Sequence, residues 1–213
     1  MATVPDAPKL ARDPGRTRER LLDAAEALIL DHGYGATTVE AVVARAGATK
    51  GAFFHHFASK AALAHALIER FAAQDRQMLE ETFARAERLA SDPLQQLLTF
   101  VGLYEEMFEA LDAPYPGCLF ASYIYENKLF DAEILAILRE STLLWRRMFR
   151  GKLDEIVKRH PPRREVDLDT VADLFYSITE GALIMTKTLG DKTLAARQVR
   201  QYRVFLEVLF DPA

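Results

Sequence analysis

Residues 37–60 contain the feature that most constrains the fold, which is a pair of short helical segments joined by a tight turn. The stretch TTVEAVVARAG predicts the first segment. Thr37 is expected to cap it, with Glu40 three residues later completing a capping box. Gly47 is expected to end this helix. After one more residue, Thr49 begins a second short helix.

Longer helices are predicted on both sides of this pair. Asp13 and Pro14 suit the cap and first position of a helix that runs to about residue 32, where Gly33 stops it. Ser59 is expected to cap a long helix that reaches about Ala90. A short helix, a turn with glycine and a second short helix form the helix-turn-helix plan, whose second helix enters the major groove of DNA.

The rest of the chain has helical periodicity and no convincing alternating strand pattern. The sequence therefore predicts an all-α protein of about nine helices. We expect a disordered leader over 1–12, a three-helix DNA-binding head over 13–70, and a helical body over 71–213 joined to the head by the long fourth helix. Five further helices are predicted in the body, at about 93–111, 118–128, 131–159, 167–189 and 193–210, with Asp167 or Asp169 opening the fourth and Gly190 closing it.

Composition narrows the class of protein. The net charge of −4 does not by itself indicate a nucleic-acid partner, although residues 1–60 hold eight Lys and Arg against seven Asp and Glu. No apolar run approaches the length of a membrane span, and the start of the chain lacks a signal-peptide pattern. The single cysteine, Cys118, excludes an intramolecular disulfide and favours a cytoplasmic location.

The segment TRERLLDAAEALILDHGYGATTVEAVVARAGATKGAFFHHFASKAALAHALIERF resembles the DNA-binding head of the TetR/AcrR family of transcriptional regulators. The resemblance covers about residues 16–71 and includes LLDAA, ARAG, HHF and SK..L at the family's spacing. It implies a homodimeric repressor that binds a palindromic double-stranded DNA operator. The remaining two thirds resemble the family only in architecture, which implies a variable ligand-binding and dimerisation domain.

The resemblance, together with the position of each side chain, assigns the DNA-binding residues. Thr38, at the start of the first short helix, can offer its hydroxyl and free backbone N–H groups to a phosphate. The side chains at the start of the second helix can reach base edges, and Gly51 allows this helix to approach the DNA backbone closely. His55 and Lys60 match the family's phosphate contacts, whereas Phe54 replaces the tyrosine that the family most often has. The predicted set is Thr38, Ala48, Thr49, Lys50, Gly51, Phe54, His55 and Lys60.

The body is rich in aromatic side chains, most of which are expected to form its core. The resemblance implies that some of them line a cavity for a small hydrophobic or aromatic ligand. Tyr104, Tyr123 and Glu126 are the candidate polar groups, and Cys118 is more readily explained as a buried structural cysteine than as a sensor. The predicted ligand-binding set is Tyr104, Phe108, Cys118, Tyr123, Glu126, Trp145 and Phe175.

The last two helices carry apolar stripes that could close a four-helix interface between two subunits. The predicted interface residues are Leu174, Ile178, Tyr202, Phe205 and Leu209. Packing within one chain is the alternative explanation for the same stripes. Two heads on a near-palindrome gain affinity and specificity, which favours the dimer.

Two other functions stay open at the level of sequence. One is an all-helical ligand-binding protein that has lost DNA binding, which Phe54 supports. The other is an all-α enzyme, although the chain has no recognisable Cys-His arrangement, zinc-protease motif or phosphate loop. No cofactor is expected, and His55 and His56 make a poor metal site because adjacent helical residues point about 100° apart.

Overall fold

The structure, a computed structural model, describes residues 14–210, and this part of the chain contains nine α-helices and no strand. The all-α prediction is confirmed. The predicted leader and the Asp13 cap lie outside the described residues. The helices are α1 Pro14–Ala36, α2 Val39–Arg45, α3 Lys50–His56, α4 Lys60–Leu89, α5 Pro93–Glu109, α6 Leu119–Tyr125, α7 Ala132–Ile156, α8 Leu168–Leu189 and α9 Leu194–Phe210.

The chain divides into two compact units between Leu67 and Ile68. In the first unit, α1, α2 and α3 pack around a small core that includes Leu21, Val42 and Phe53. Helical geometry in α1 is interrupted at Gly33, which has φ 84° and ψ 163°. Glycine adopts a positive φ without the steric cost that a Cβ would add, so the predicted stop at this residue is confirmed.

The predicted capping box of α2 is wrong by one residue. Thr38, not Thr37, is the N-cap, and its Oγ1 accepts a hydrogen bond from the Ala41 backbone N at 3.1 Å. Thr37 is buried, and its hydroxyl donates to the Gly33 carbonyl at 2.8 Å. The Thr37 hydroxyl, which the sequence assigned to the cap of α2, is therefore used by the carbonyl at the break in α1.

The turn between α2 and α3 is held from α1. Gly47 has φ 57°, as predicted for a helix stop, and Ala46 ends α2. Arg20 in α1 donates from Nε to the Ala46 carbonyl at 2.9 Å and from Nη2 to the Gly47 carbonyl at 2.8 Å. The guanidinium therefore satisfies carbonyls at the end of α2 that have no helical partner.

In the second unit α5 packs against α9, and α8 packs against both α7 and α9. Its centre is an aromatic cluster in which the rings of Phe149 and Phe175 lie 4.8 Å apart and those of Phe100 and Phe149 lie 5.2 Å apart. Asp167 caps α8, and Gly190 ends it in the left-handed conformation. None of the helices described between residues 14 and 210 is long and apolar enough to cross a membrane.

A buried lysine also belongs to this unit. The Lys152 side chain is 7% exposed, and its Nζ donates to Glu87 and Gln96 at 2.9 Å and to Glu155 at 2.8 Å. Burial opposes the charge, but the hydrogen bonds to Glu155 and Glu87 outweigh it and raise the pKa of Lys152. The three acceptors join α4, α5 and α7 through one ammonium group.

Candidate functional site

The α3 helix presents one buried face and one exposed face. Phe53 and Phe57 are buried, and the ring of Phe53 lies 5.2 Å from that of Phe54 in an edge-to-face contact. Phe54 itself is 50% exposed. The exposed side chains at and beside α3 are Thr49, Lys50, Phe54 and His55, together with the backbone of Gly51. These are predicted DNA-binding residues, and packing of Phe53 holds them outward.

Thr49 is the N-cap of α3, and its Oγ1 accepts from the Ala52 backbone N at 3.1 Å. A surface groove of about 510 Å³ lies beside it, lined by α1, the turn and α3. Among the predicted DNA-binding residues, Ala48, Thr49, Gly51 and His55 line this groove. Thr17, Arg20 and His56 line it too and were not in the predicted set.

Lys50 is paired with Glu40 across the helix-turn-helix. The Lys50 Nζ lies 2.7 Å from the Glu40 carboxylate, and both side chains are more than 60% exposed. The hydrogen bond from Lys50 holds the pKa of Glu40 below its usual value. Sequence reasoning missed Glu40 because it was assigned to the capping box. The structure therefore places a negative charge beside the first cation of the exposed face.

Lys60 lies in a different environment from the other predicted phosphate contacts. Its Nζ donates to the Tyr34 carbonyl at 2.6 Å and to the Gly35 carbonyl at 3.3 Å, and it lies 4.1 Å from the centre of the Tyr34 ring. These contacts hold the segment after the break in α1. Thr38 is exposed at the start of α2. The structure therefore ties Lys60 to the framework of the first unit and leaves Thr38 at its surface.

The second unit contains a partly open cavity of about 290 Å³ that is lined largely by aromatic and apolar side chains. Tyr104, Phe108, Cys118 and Trp145 of the predicted ligand-binding set line it. Sequence reasoning missed its two acidic residues, Asp75 on α4 and Glu180 on α8. The other lining residues are Phe71, Gln74, Met78, Met107, Leu111, Tyr115, Phe120, Tyr176, Thr179 and Leu183.

The ionisable groups of the cavity favour their neutral forms. Burial raises the pKa of Asp75, although the Trp145 Nε1 donates to its Oδ2 at 2.9 Å. Burial also raises the pKa of Glu180, and the charge of Asp75 raises it further, while a hydrogen bond with Cys118 opposes both. Burial likewise raises the pKa of Tyr104 and that of the Cys118 thiol.

The remaining predicted ligand-binding residues lie elsewhere. Phe175 is fully buried in the aromatic core, and Tyr123 is buried against Phe130, with stacked rings 4.3 Å apart. Glu126 is the C-cap residue of α6. None of these three lines the cavity.

The predicted interface residues also differ in exposure, and only some of them could contact a second subunit. Tyr202 is 0% exposed and its hydroxyl donates to the Val171 carbonyl at 3.2 Å, so its side chain has no surface to offer a partner. Leu209 is also buried, Leu174 and Ile178 are half-buried, and Phe205 is exposed. Other apolar side chains on α8 and α9 are exposed: Ile184, Met185, Leu189, Val204 and Val208.

Both units match families of known proteins. Residues 21–67 match the family described as bacterial regulatory proteins, tetR family. Residues 93–202 match the family described as tetracyclin repressor-like, C-terminal domain. The second match alone spans more than half of the chain.

Individual proteins resemble the chain over most of its length. It is 28% identical over 170 residues to the HTH-type transcriptional repressor KstR2 of Rhodococcus jostii, covering 78% of each chain. It is 25% identical to the HTH-type transcriptional repressor DhaR of a Mycobacterium species, covering 84% of this chain and 85% of the relative. A TetR transcriptional regulator from Chloroflexus aurantiacus aligns with a TM-score of 0.74 at 25% identity, over 95% of this chain and 100% of that one.

Proposed function

The chain belongs to the TetR family of DNA-binding transcriptional regulators, and on that premise we propose that it represses transcription from a palindromic operator until a small, largely apolar ligand releases it. The relatives from Rhodococcus and Mycobacterium are repressors by name. The proposed location is the cytoplasm, where operator DNA is found.

The observation that carries the DNA-binding proposal is the division of α3 into a buried and an exposed face. Phe53 anchors the helix, so Thr49, Lys50 and Gly51 are presented together at its start. In helix-turn-helix proteins, residues at the start of the recognition helix contact base edges in the major groove. We propose that Lys50 reads a base edge, that Thr38 and His55 bind phosphates, and that Phe54 lies against the sugar edges.

We propose a structural role for Lys60 rather than a direct phosphate contact. Its ammonium is already engaged by the Tyr34 and Gly35 carbonyls. We therefore propose that it holds the start of the helix-turn-helix in place and adds positive charge near the phosphates. Arg20 acts in the same way on the turn, since it donates to the Ala46 and Gly47 carbonyls.

Ligand release is supported by the cavity in the second unit. Ligand sites are concave and mostly apolar with a few polar groups, and this cavity has that character. A ligand shifts the equilibrium only if it binds two conformations with different affinity. We propose that the ligand-bound conformation holds the two heads of a dimer at a spacing unsuited to half-sites about 34–36 Å apart.

The proposed homodimer uses the exposed parts of α8 and α9. An isologous interface needs the same apolar patch on both subunits. Phe205 from the sequence-based set belongs to this patch, with Val204 and Val208 on the same helix and Ile184 and Met185 on α8. Tyr202 and Leu209 are left out because they are buried within the chain.

A catalytic role for Cys118 has little physical support. Nucleophilic cysteines act as thiolates, and burial and Glu180 raise the pKa of this thiol. The family consists of regulators rather than enzymes. If the chain were an enzyme that uses this residue, Cys118→Ala would abolish turnover of its substrate.

The test of the repressor proposal is selection of bound duplexes from random DNA, followed by titration of the selected operator at several salt concentrations. Affinity should fall steeply with salt, because phosphate contacts release counterions. Lys50→Ala should weaken binding and relax base preference at one position, whereas Thr38→Ala should weaken binding on all sequences. Lys158→Ala, an exposed lysine outside the first unit, is the matched control.

Phe54→Tyr provides a sharper test of the same face. A tyrosine hydroxyl would restore the phosphate contact typical of the family, and one such hydrogen bond is worth about 0.5–1.5 kcal/mol. Tighter binding by this variant would place residue 54 at the DNA. No salt-sensitive binding to any selected duplex, by either protein, would overturn the proposal.

A further inference from the structure

The cavity of the second unit contains two carboxyl groups and no basic lining residue. Asp75 and Glu180 enter it from α4 and α8. No lysine, arginine or histidine is found among the residues that line it in the described part of the chain. This contrasts with other carboxylates of the same unit, such as Asp173, whose Oδ1 accepts from Arg146 Nε at 2.7 Å.

Placing carboxylates in such a cavity is unfavourable. A charge taken out of water is costly unless an opposite charge or several hydrogen bonds compensate it. The Trp145 indole donates a hydrogen bond to Asp75, and the Cys118 thiol donates one to Glu180. The pKa of each carboxyl is raised mainly by burial, which is the response expected of partly compensated acids.

The walls of the cavity suit a positive charge as well. Tyr104 and Trp145 meet edge to face with ring centres 5.8 Å apart, and Phe108, Phe120 and Tyr176 add further rings. Aromatic faces attract cations through the ring quadrupole, and this attraction is strongest where water is excluded. The rings and the two carboxyls therefore favour the same kind of ligand.

We propose that the cavity binds an organic cation, an amine with an aromatic or apolar body whose ammonium group is held by Asp75 and Glu180. This inference rests on the proposed function, because it specifies the ligand of the same site. The cavity volume of about 290 Å³ limits the ligand to a small molecule. An anionic ligand is disfavoured because its charge would meet two acids and no base.

Binding of such a cation depends on pH in a definite direction. The groups that face the carboxyls are Tyr104 on α5, Tyr115 before α6, Cys118 at its start, Trp145 on α7 and Tyr176 on α8. Burial raises the pKa values of Tyr104, Tyr176 and Cys118, which keeps these groups neutral near neutral pH, so the carboxyls of Asp75 and Glu180 are the groups whose charge changes. The cation prefers both as carboxylates, so affinity should rise as pH increases through their raised pKa values and then level off.

The test uses phenylbutylamine, phenylbutanol and phenylbutyrate as matched probes of positive, neutral and negative charge. Trp145 is the only tryptophan in the chain and lines the cavity, so its fluorescence reports binding. The amine should bind at least about tenfold more tightly than the alcohol near pH 7.5, and the butyrate should bind most weakly. Calorimetry gives the same order independently.

Two conservative variants show whether the carboxyls cause the preference. Asp75→Asn and Glu180→Gln keep the size of each side chain and should each reduce the advantage of the amine several-fold without weakening the alcohol. Glu80→Gln, an exposed acid on the same helix as Asp75, should leave all three affinities unchanged. Thermal melting of each variant establishes that it is folded.

Failure of this inference and failure of the proposed function give different results. If the alcohol or the butyrate binds as tightly as the amine, the cation preference is overturned and the ligand site stands. If the amine preference survives in both variants, the role of the carboxyls is overturned. If no probe changes the fluorescence of Trp145 or gives a calorimetric signal, the cation proposal is overturned, whereas operator binding, which is measured separately, still decides the repressor proposal.

Discussion

Two regions of the second unit bury charge in opposite ways. Lys152 is almost completely buried, yet Glu87, Gln96 and Glu155 all lie within 2.9 Å of its ammonium. Asp75 and Glu180 are half-buried in the aromatic cavity, and no basic side chain lines it within the described residues. The pKa of the lysine is raised, which favours its charged form, whereas the raised pKa of each acid favours its neutral form.

This difference indicates that Lys152 has a structural role, whereas Asp75 and Glu180 are suited to bind a ligand of opposite charge. The lysine is compensated within the chain, so its cluster stabilises the fold at any pH where the lysine and its carboxylates are ionised. The acids are compensated only in part, so they reduce stability when they ionise. A protein retains such groups where binding of a ligand offsets their cost, and we infer that role for the cavity.

The largest effect is expected from Lys152→Ala. The substitution removes a buried four-carbon stem and leaves Gln96 without its donor, so the free energy of unfolding should fall by about 2–4 kcal/mol. Chemical denaturation measures the loss. Lys158→Ala, at an exposed position beyond the same helix, should change little. An equal loss in both variants would remove the structural role assigned to the Lys152 cluster.

Asp75→Asn should increase the free energy of unfolding, by less than Lys152→Ala decreases it. Because burial raises the pKa of Asp75, the stability linked to this group is complete below the unfolded value of 3.8 and is lost as pH rises through the folded value. The variant escapes that loss, and Asn can still accept from Trp145. Its melting temperature should exceed that of the wild type near pH 7.5, by about 2–4 °C for each 1 kcal/mol gained.

The pH dependence distinguishes this explanation from a general effect of the substitution. The advantage of Asp75→Asn should shrink as pH falls and should vanish well below 3.8, where the wild-type carboxyl is protonated in both the folded and the unfolded state. Asp173→Asn is the matched comparison, because Asp173 is paired with Arg146 and its loss should lower stability. A melting temperature for Asp75→Asn below that of the wild type at neutral pH would contradict the assignment of Asp75 as an only partly compensated acid.

The fold could be predicted because its helix boundaries depend on local chemistry. Gly33, Gly47 and Gly190 all have positive φ where the sequence indicated helix ends, and Ser59 accepts from the Ala62 backbone N as predicted. The cap of α2 could not be predicted in the same way. Thr37 and Thr38 are both good caps, and the choice between them depends on the carbonyl that the break in α1 exposes to Thr37.

The residues of the candidate sites were harder to predict from the sequence, because they depend on which face of each helix borders the cavity. Tyr104 lines the cavity and Phe175 lies in the core, although both are aromatic residues on amphipathic helices. Single acidic residues such as Asp75 and Glu180 resemble the solvent face of a helix until packing encloses them. Arg20 was missed because its carbonyl acceptors lie 26 and 27 residues away in sequence.

Glu180→Gln tests the link between the two cavity acids and Cys118 through a smaller effect. Burial is the main cause of the raised pKa of the Cys118 thiol, and the charge and hydrogen bond of Glu180 add to it. The variant should therefore react with iodoacetamide a few-fold faster near pH 8, while burial keeps the rate below that of an exposed cysteine. Glu106→Gln, an exposed acid on α5, is the control, and an unchanged rate in Glu180→Gln would separate Glu180 from the thiol.

The smallest effect on stability is expected for the exposed pair of Glu40 and Lys50 in the first unit. Water already solvates both groups, and exposed ion pairs contribute little, so Glu40→Gln should leave the melting temperature unchanged. Its effect should appear on DNA instead. Removing a carboxylate beside Lys50 leaves the exposed face of α3 more positive, so operator affinity at low salt should rise about two- to threefold and become more sensitive to salt. Weaker binding by Glu40→Gln would mean that the carboxylate holds Lys50 in the orientation that contacts DNA. Glu40 would then position Lys50, as the acceptors around Lys152 position that lysine, and would not compete with DNA for it.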